Sequence, residues 1–325
     1  MKDYYKEKKV SNSSLSWFQV SPKYFKLMLD KEIEEIIPSY FEKGQEIHMY
    51  ILEPEEFDKQ YIFMDYPQPK SSQQKAFCET FSRLRKGKKD EKLIKAYKSA
   101  YSTKENDEII LEKAKKLVKD FEDYIKYLKL SHKYTKILPT KVLNDYNNIK
   151  HSLLTHKKAR ELMYNETNAT FGNSDKLYIK NELPIYWVYK NGIPCKSMVD
   201  RIIINHEEKK VILVDLKTSS HLSEFADKAI EYKYNRQLAF YWIAVGWYFK
   251  NELNLDIDEY EKETFIVATS TKEIPETKVF KMSERRLLEG LEEIEKLMNE
   301  LKWHFDNNEW EHSRLYYEGE GIELI

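Results

Sequence analysis

Apolar positions along the chain follow two regimes that meet near Asn165. Before it the spacing is helical. Ser13 or Ser14 is placed to cap a short helix in SNSSLSWFQV, and Pro22 suits the first turn of the next. Residues 44–51, GQEIHMYI, read as a helix with His48 in its middle and Pro54 just beyond its end. Leu93, Ala96, Tyr97, Ala100 and Tyr101 line one helical face, a second helix is expected over 107–128, and a third over 141–164. After Asn165 the pattern changes. Residues 175–189 are rich in β-branched and aromatic side chains. An Asn191–Gly192 turn, IPCKSMVDRIII, the polar tip NHEEKK and VILVDLKTS follow, which reads as strand, turn, strand, turn, strand. From Ser223 the period is helical again, through Phe225, Ile230, Tyr234, Leu238, Tyr241 and Trp242. Two more strands are expected at 263–268 and 277–281, and an amphipathic helix over 283–305 closes the fold. This order predicts an α/β (α+β) architecture, a mixed central sheet flanked by helices.

Length and composition narrow the picture. A chain of 325 residues can form a single elaborated domain. We read an N-terminal helical part over 1–69, a lysine-rich helical insertion over 70–150 and a core over 155–310. With 54 basic and 55 acidic residues, a nucleic-acid binder of this kind must sort its positive charge onto one surface. The lysine-rich stretch is either a solvated helical face or one turned towards DNA or another subunit. Two distant cysteines, Cys78 and Cys195, exclude a disulfide framework, a cysteine zinc site and a four-cysteine iron–sulfur cluster within the chain. The opening MKDYYKEKKV has no apolar signal region, and no apolar run nears the roughly 18 residues of a membrane span. These features predict a cytoplasmic protein with no membrane partner.

Chemistry concentrates in three charged residues. Asp200 is read as ending one apolar strand, and Asp215 and Lys217 lie on the next, in VDLKT. Alternation puts Asp215 and Lys217 on one face and turns Leu216 into the core. Pairing of the strands can bring Asp200 beside Asp215, where two carboxylates repel unless a divalent cation lies between them. Oxygen ligands favour Mg²⁺ or Mn²⁺. A lysine on the same face can hold or activate a water for attack on a phosphate, or stabilise the negative charge that develops. An Asp-x-Lys on an edge strand is ordinarily a surface ion pair. The apolar run from Val211 to Val214 instead marks a central buried strand, where charges are costly unless paired or liganding. Gln237 and Tyr241 share a helix face. Gln237 can bond the lysine or a DNA phosphate, or simply face solvent.

In this order, Asp200, Asp215-Leu-Lys217 and Gln237-Leu-Ala-Phe-Tyr241 resemble the PD-(D/E)XK nuclease superfamily. More narrowly, they resemble the RecE-type (exonuclease VIII-like) phage and prophage exonucleases. NSSLSWFQVSPKYFK and GQEIHMYILEPEEF resemble that family's opening helix and its Gly-x-x-x-His helix. The likeness covers about residues 11–60 and 155–310. It implies that His48, Asp200, Asp215 and the Leu216 carbonyl hold metal and that Lys217 positions the attacking water. Glu182 is either a further acidic member near the metal or an ordinary strand-edge glutamate. The resemblance also implies 5′→3′ digestion of linear double-stranded DNA ends, a single-strand annealing protein as partner, and a homo-oligomer. Val199 stands where the superfamily name has proline. The remaining alternatives are an endonuclease, a single-strand or flap nuclease, or a non-catalytic DNA-binding protein on the same fold.

Overall fold

The structure, a computed structural model, describes residues 2–34, 38–164 and 176–322. It divides into two compact units, Met1–Glu53 with Asn148–Ile325, and Pro54–Asn147.

Four helices open the first unit: α1 (Lys2–Lys6), α2 (Asn12–Val20), α3 (Pro22–Asp30) and α4 (Ser39–Leu52). Ser11, rather than Ser13 or Ser14, caps α2. Its hydroxyl accepts from the Ser14 N–H, while Ser14 Oγ accepts from the Ser11 N–H, so Ser14 supplies the other half of a capping box. Pro22 sits at the first turn of α3, as expected.

The second unit holds α5 (Pro54–Gln60), β1 (Tyr61–Phe63), α6 (Ser72–Arg83), α7 (Lys89–Tyr101), α8 (Asp107–Asp120), α9 (Glu122–Leu130), β2 (Lys136–Leu138) and the first half of α10 (Thr140–Thr155). Its core gathers Phe77, Leu93, Ala96, Ile110, Ala114 and Ile125. The unit begins sixteen residues before the expected insertion at 70, because β1 pairs in parallel with β2 and draws 54–69 into it. The helix expected over 107–128 is two helices parted at Phe121. Glu122 and Asp123 open α9, where negative charge suits the positive end of the helix dipole. The helix expected over 141–164 is also two, α10 and α11 (Lys157–Tyr164). His156 parts them, and its Nδ1 accepts the Ala159 N–H at 3.2 Å.

The rest of the first unit is β3 (Leu177–Val188), β4 (Pro194–Asn205), β5 (Lys210–Ser219), α12 (Phe225–Glu231), α13 (Tyr234–Tyr248), β6 (Glu261–Ser270), β7 (Thr277–Lys281), α14 (Glu284–Asn307) and α15 (Arg314–Glu318). The expected strand start at Asp175 lies outside the described residues. The strands form one mixed sheet in the order β3-β4-β5-β6-β7, antiparallel except for the parallel pair β5–β6. Central β5 is buried on both faces: Val211, Leu213, Val214, Asp215 and Leu216 are all at most 1% exposed. Helix α13 supplies Leu238, Ala239, Phe240, Ala244 and Val245 to the core over the sheet. Helix α14 packs closely on α13 at Gly290, where a Cβ would lie 2.6 Å from the Asn235 carbonyl oxygen. The buried Arg236 guanidinium ties α13 to α2 and α14. It donates to Asn12 Oδ1, Gln19 Oε1, Ser16 Oγ and Glu293 Oε1. Among the described residues, no helix is long and apolar enough to cross a membrane.

Candidate active site

The site forms where the regular sheet breaks. In β4 the core residues are Cys195 and Val199 before Asp200, and Ile202 and Ile204 after it. Alternation keeps one parity on one face, so the parity change marks a slip in the pleat at Asp200. The slip has a partner in β3. Asn181 pairs with Arg201 and Leu183 with Val199, which leaves Glu182 opposite Asp200. Glu182 has φ 46°, a left-handed backbone that costs a non-glycine residue about 1–3 kcal/mol and tends to occur at functional sites. On the other side the β4–β5 ladder ends at Arg201–Val214, one step short of Asp200 and Asp215. Three acidic residues therefore stand at one level across three strands.

Asp200 lies inside β4, not at a strand end as expected, and Asp215 and Lys217 lie on β5 as expected. Burial on both sides of the break hides the strand's continuation from periodicity. Beyond the break β5 leaves β4, and Asp200 Oδ2 accepts the Leu216 N–H at 2.8 Å. The freed edge of β4 is met by Val10, whose N–H donates to Pro194 O and whose carbonyl accepts from Lys196 N–H.

His48 arrives on α4. At Gly44, one helical turn earlier, a Cβ would lie 3.3 Å from Thr218 Oγ1 of β5. The missing side chain lets the helix lie close to that strand, and His48 Nδ1 comes 3.7 Å from Asp200 Oδ2. Ligand atoms of His48, Glu182 and Asp200 all lie within 4.8 Å of one another. Asp215 Oδ1 accepts from Gln237 Nε2 at 3.3 Å, and the same amide donates to the Tyr241 hydroxyl at 2.8 Å. Gln237 thus serves the carboxylate instead of the expected lysine or phosphate. Lys217 Nζ is 2.7 Å from the fully buried Asp215 Oδ2, an ion pair inside the sheet. An imidazole and two carboxylates with converging ligand atoms, next to a further buried carboxylate, fit a hard divalent cation. His48, Glu182 and Asp200 would hold it, with Asp215 at its edge.

Burial and mutual repulsion shape the charges. The Glu182 carboxyl is pushed up to about 9, first by burial and then by Asp200, Glu53 and Asp215. Asp215 rises to about 6 through burial, and the neighbouring Lys217 only partly offsets this. His48 falls to about 4, through burial and then Lys217, so its imidazole is neutral and free to ligate at pH 7. Burial alone would lower Lys217, but Asp215 and Asp200 outweigh it and hold the ammonium above its ordinary value. Lys217 is therefore a fixed cation that can orient a water or meet developing charge, not a proton acceptor.

A family described as a PDDEXK-like domain of unknown function (DUF3799) matches residues 113–314. The chain belongs to that family. The matched span of this PDDEXK-like domain contains Glu182, Asp200, Asp215, Lys217, Gln237 and Tyr241, while His48 and Glu53 lie before it. No curated protein matches the chain. Among solved structures, a candidate exonuclease from Eubacterium rectale aligns over 90% of this chain and 96% of its own, at 14% identity and a TM-score of 0.36.

The structure brings His48, Glu182, Asp200, Asp215, Lys217, Gln237 and Tyr241 to one place and adds two more residues. Glu53, just before the expected helix stop at Pro54, ends α4 and repels Glu182. Tyr234 opens α13 with its ring 5.0 Å from Lys217 Nζ, a cation–π contact; periodicity marked it only as core.

Proposed function

We propose that this PDDEXK-like domain is a metal-dependent deoxyribonuclease, and specifically an exonuclease working 5′→3′ from linear double-stranded ends with Mg²⁺ or Mn²⁺. The observation that carries the metal-dependent hydrolysis is the convergence of His48, Glu182 and Asp200 ligand atoms within 4.8 Å of one another, with the buried Asp215–Lys217 ion pair on the neighbouring strand. His48, Glu182 and Asp200 would hold a divalent cation there, which would supply Lewis-acid polarisation of a phosphate and charge neutralisation. The chain supplies the rest. Gln237 and Tyr241 hold Asp215 in its rotamer, Leu216 N–H holds Asp200, and Tyr234 and Asp215 hold Lys217 where a nucleophilic water can be oriented.

Polarity and end preference rest on the resemblance of the Gly44–His48 helix and the opening helix to RecE-type exonucleases. So do a single-strand annealing partner, a homo-oligomer, a role in phage-type recombination and a cytoplasmic setting. Duplexes labelled at either the 5′ or the 3′ terminus separate the readings. Early release of 5′-terminal label supports the proposal. Early release of 3′-terminal label reverses the polarity. Internal cuts on a closed circle make the enzyme an endonuclease.

A further inference from the structure

Helix α1 and the outward face of β3 carry aromatic side chains that the metal chemistry does not use. Tyr5 is 58% exposed and Tyr186 is 38% exposed. The buried Tyr4 ring lies between them, edge-on to Tyr5 at 5.4 Å between centroids and tilted against Tyr186 at 6.0 Å. Lysines stand over this group. Lys196 Nζ is 4.9 Å from the Tyr4 ring, and Lys9 Nζ is 4.8 Å from the Tyr186 ring. Lys196 also donates to the backbone carbonyls of Tyr4 at 3.0 Å and Glu7 at 2.7 Å, which fastens α1 to β4. The group adjoins the carboxylates. Burial of the Tyr5 hydroxyl, and then the charges of Glu182, Asp200 and Glu53, raise its pKa. Tyr186 is four residues along β3 from Glu182, about 13 Å at the rise of a strand and the reach of roughly four stacked nucleotides.

A folded protein has little reason to expose two tyrosine rings, one on either side of a buried third, near an acidic site. Exposed rings suit unpaired bases, because every base has a face to stack, and Lys9, which also pairs with Glu7 at 2.9 Å, can meet the phosphates. Resting on the nuclease reading above, we infer that Tyr5 and Tyr186 form a stacking platform for unpaired nucleotides of the DNA strand entering the metal site. The platform makes a frayed or overhanging end a better substrate than a blunt one. Tyr4, Lys9 and Lys196 are its supports.

The test measures binding of a fluorescent blunt duplex, and of the same duplex with a four-nucleotide overhang, to the full-length metal-free protein. Native protein is compared with Tyr5→Ala, Tyr186→Ala and the two Phe variants. The native protein is expected to prefer the overhang. Each Ala variant is expected to lose about five- to a hundredfold on the overhang and little on the blunt end, with the Phe variants close to native. Equal native binding to both DNAs overturns the platform, as do Ala variants that bind like native or Phe variants that lose as much as Ala. Loss of self-association in the Ala variants without loss of DNA binding also overturns it, since the rings then serve a second copy of the chain. Cleavage with Mn²⁺ keeps the two readings apart. DNA cut with no dependence on the tyrosines refutes the platform alone. No DNA cut, while the tyrosine-dependent overhang preference persists, supports the platform and refutes the nuclease.

Discussion

Binding of a divalent cation to this site should release a proton, and the structure says from where. Glu182 sits in the acidic cluster with its carboxyl pushed up to about 9, so without metal it is almost fully protonated at pH 7.5. Asp215, at about 6, has by then lost nearly all its proton, and His48, at about 4, carries none. A cation that takes up the Glu182 carboxylate therefore displaces the Glu182 proton, and its apparent affinity rises with pH up to about 9. Folding is linked in the same way. An unfolded glutamate ionises near 4.5 while folded Glu182 keeps its proton to about 9, so the unfolded chain binds fewer protons in that window. Stability of the metal-free protein therefore falls as pH rises from about 5 to 9, and bound metal removes the penalty. Calorimetric titration of Mn²⁺ in two buffers of different ionisation enthalpy counts the protons directly. Native protein at pH 7.5 is expected to release more protons than Glu182→Gln. No release from native protein, or equal release from Glu182→Gln, refutes this account of the cluster.

Three further substitutions test the supports of the site. Arg236→Met removes a buried cation and strips hydrogen-bond donors from Asn12, Gln19, Ser16 and Glu293, so denaturant unfolding should show a loss of about 3–5 kcal/mol; an unchanged midpoint would show that the network contributes nothing net. Gly44→Val places a branched side chain against Thr218 and moves α4, so Mn²⁺ affinity should fall by about tenfold or more while near-native circular dichroism persists. Gln237→Leu frees Asp215 Oδ1 and the Tyr241 hydroxyl from their donor, so kcat should fall by about 10- to 100-fold.

The sequence showed much of this site because strand physics is local. Asp215 and Lys217 had to share a face, the apolar run before them had to be buried, and Gln237 and Tyr241 had to lie one helical turn apart. The five-stranded sheet followed from the turn at Asn191–Gly192 and the two later apolar runs. What stayed hidden depends on distant pairing. Nothing local in NELPIY announces that Glu182 takes a left-handed backbone opposite Asp200, since the conformation is imposed by the strand beside it. Glu53, beside the helix stop at Pro54, and Tyr234, on a helical apolar pattern, showed no sign of a role because their partners are far away in sequence. The second unit begins at Pro54 because β1 and β2, three residues each, are too short to show a period but long enough to pair.

The central claim is that Asp215 and Lys217 work together on a metal-bound phosphodiester. Its most direct test is digestion of matched linear and covalently closed duplex DNA with Mg²⁺ or Mn²⁺ by native protein, Asp215→Ala and Lys217→Ala. The account predicts that the linear form is consumed from its ends, that the closed circle survives, and that both variants are inactive although folded. Linear DNA left intact by native protein with either metal, or degraded equally by Lys217→Ala, would contradict it.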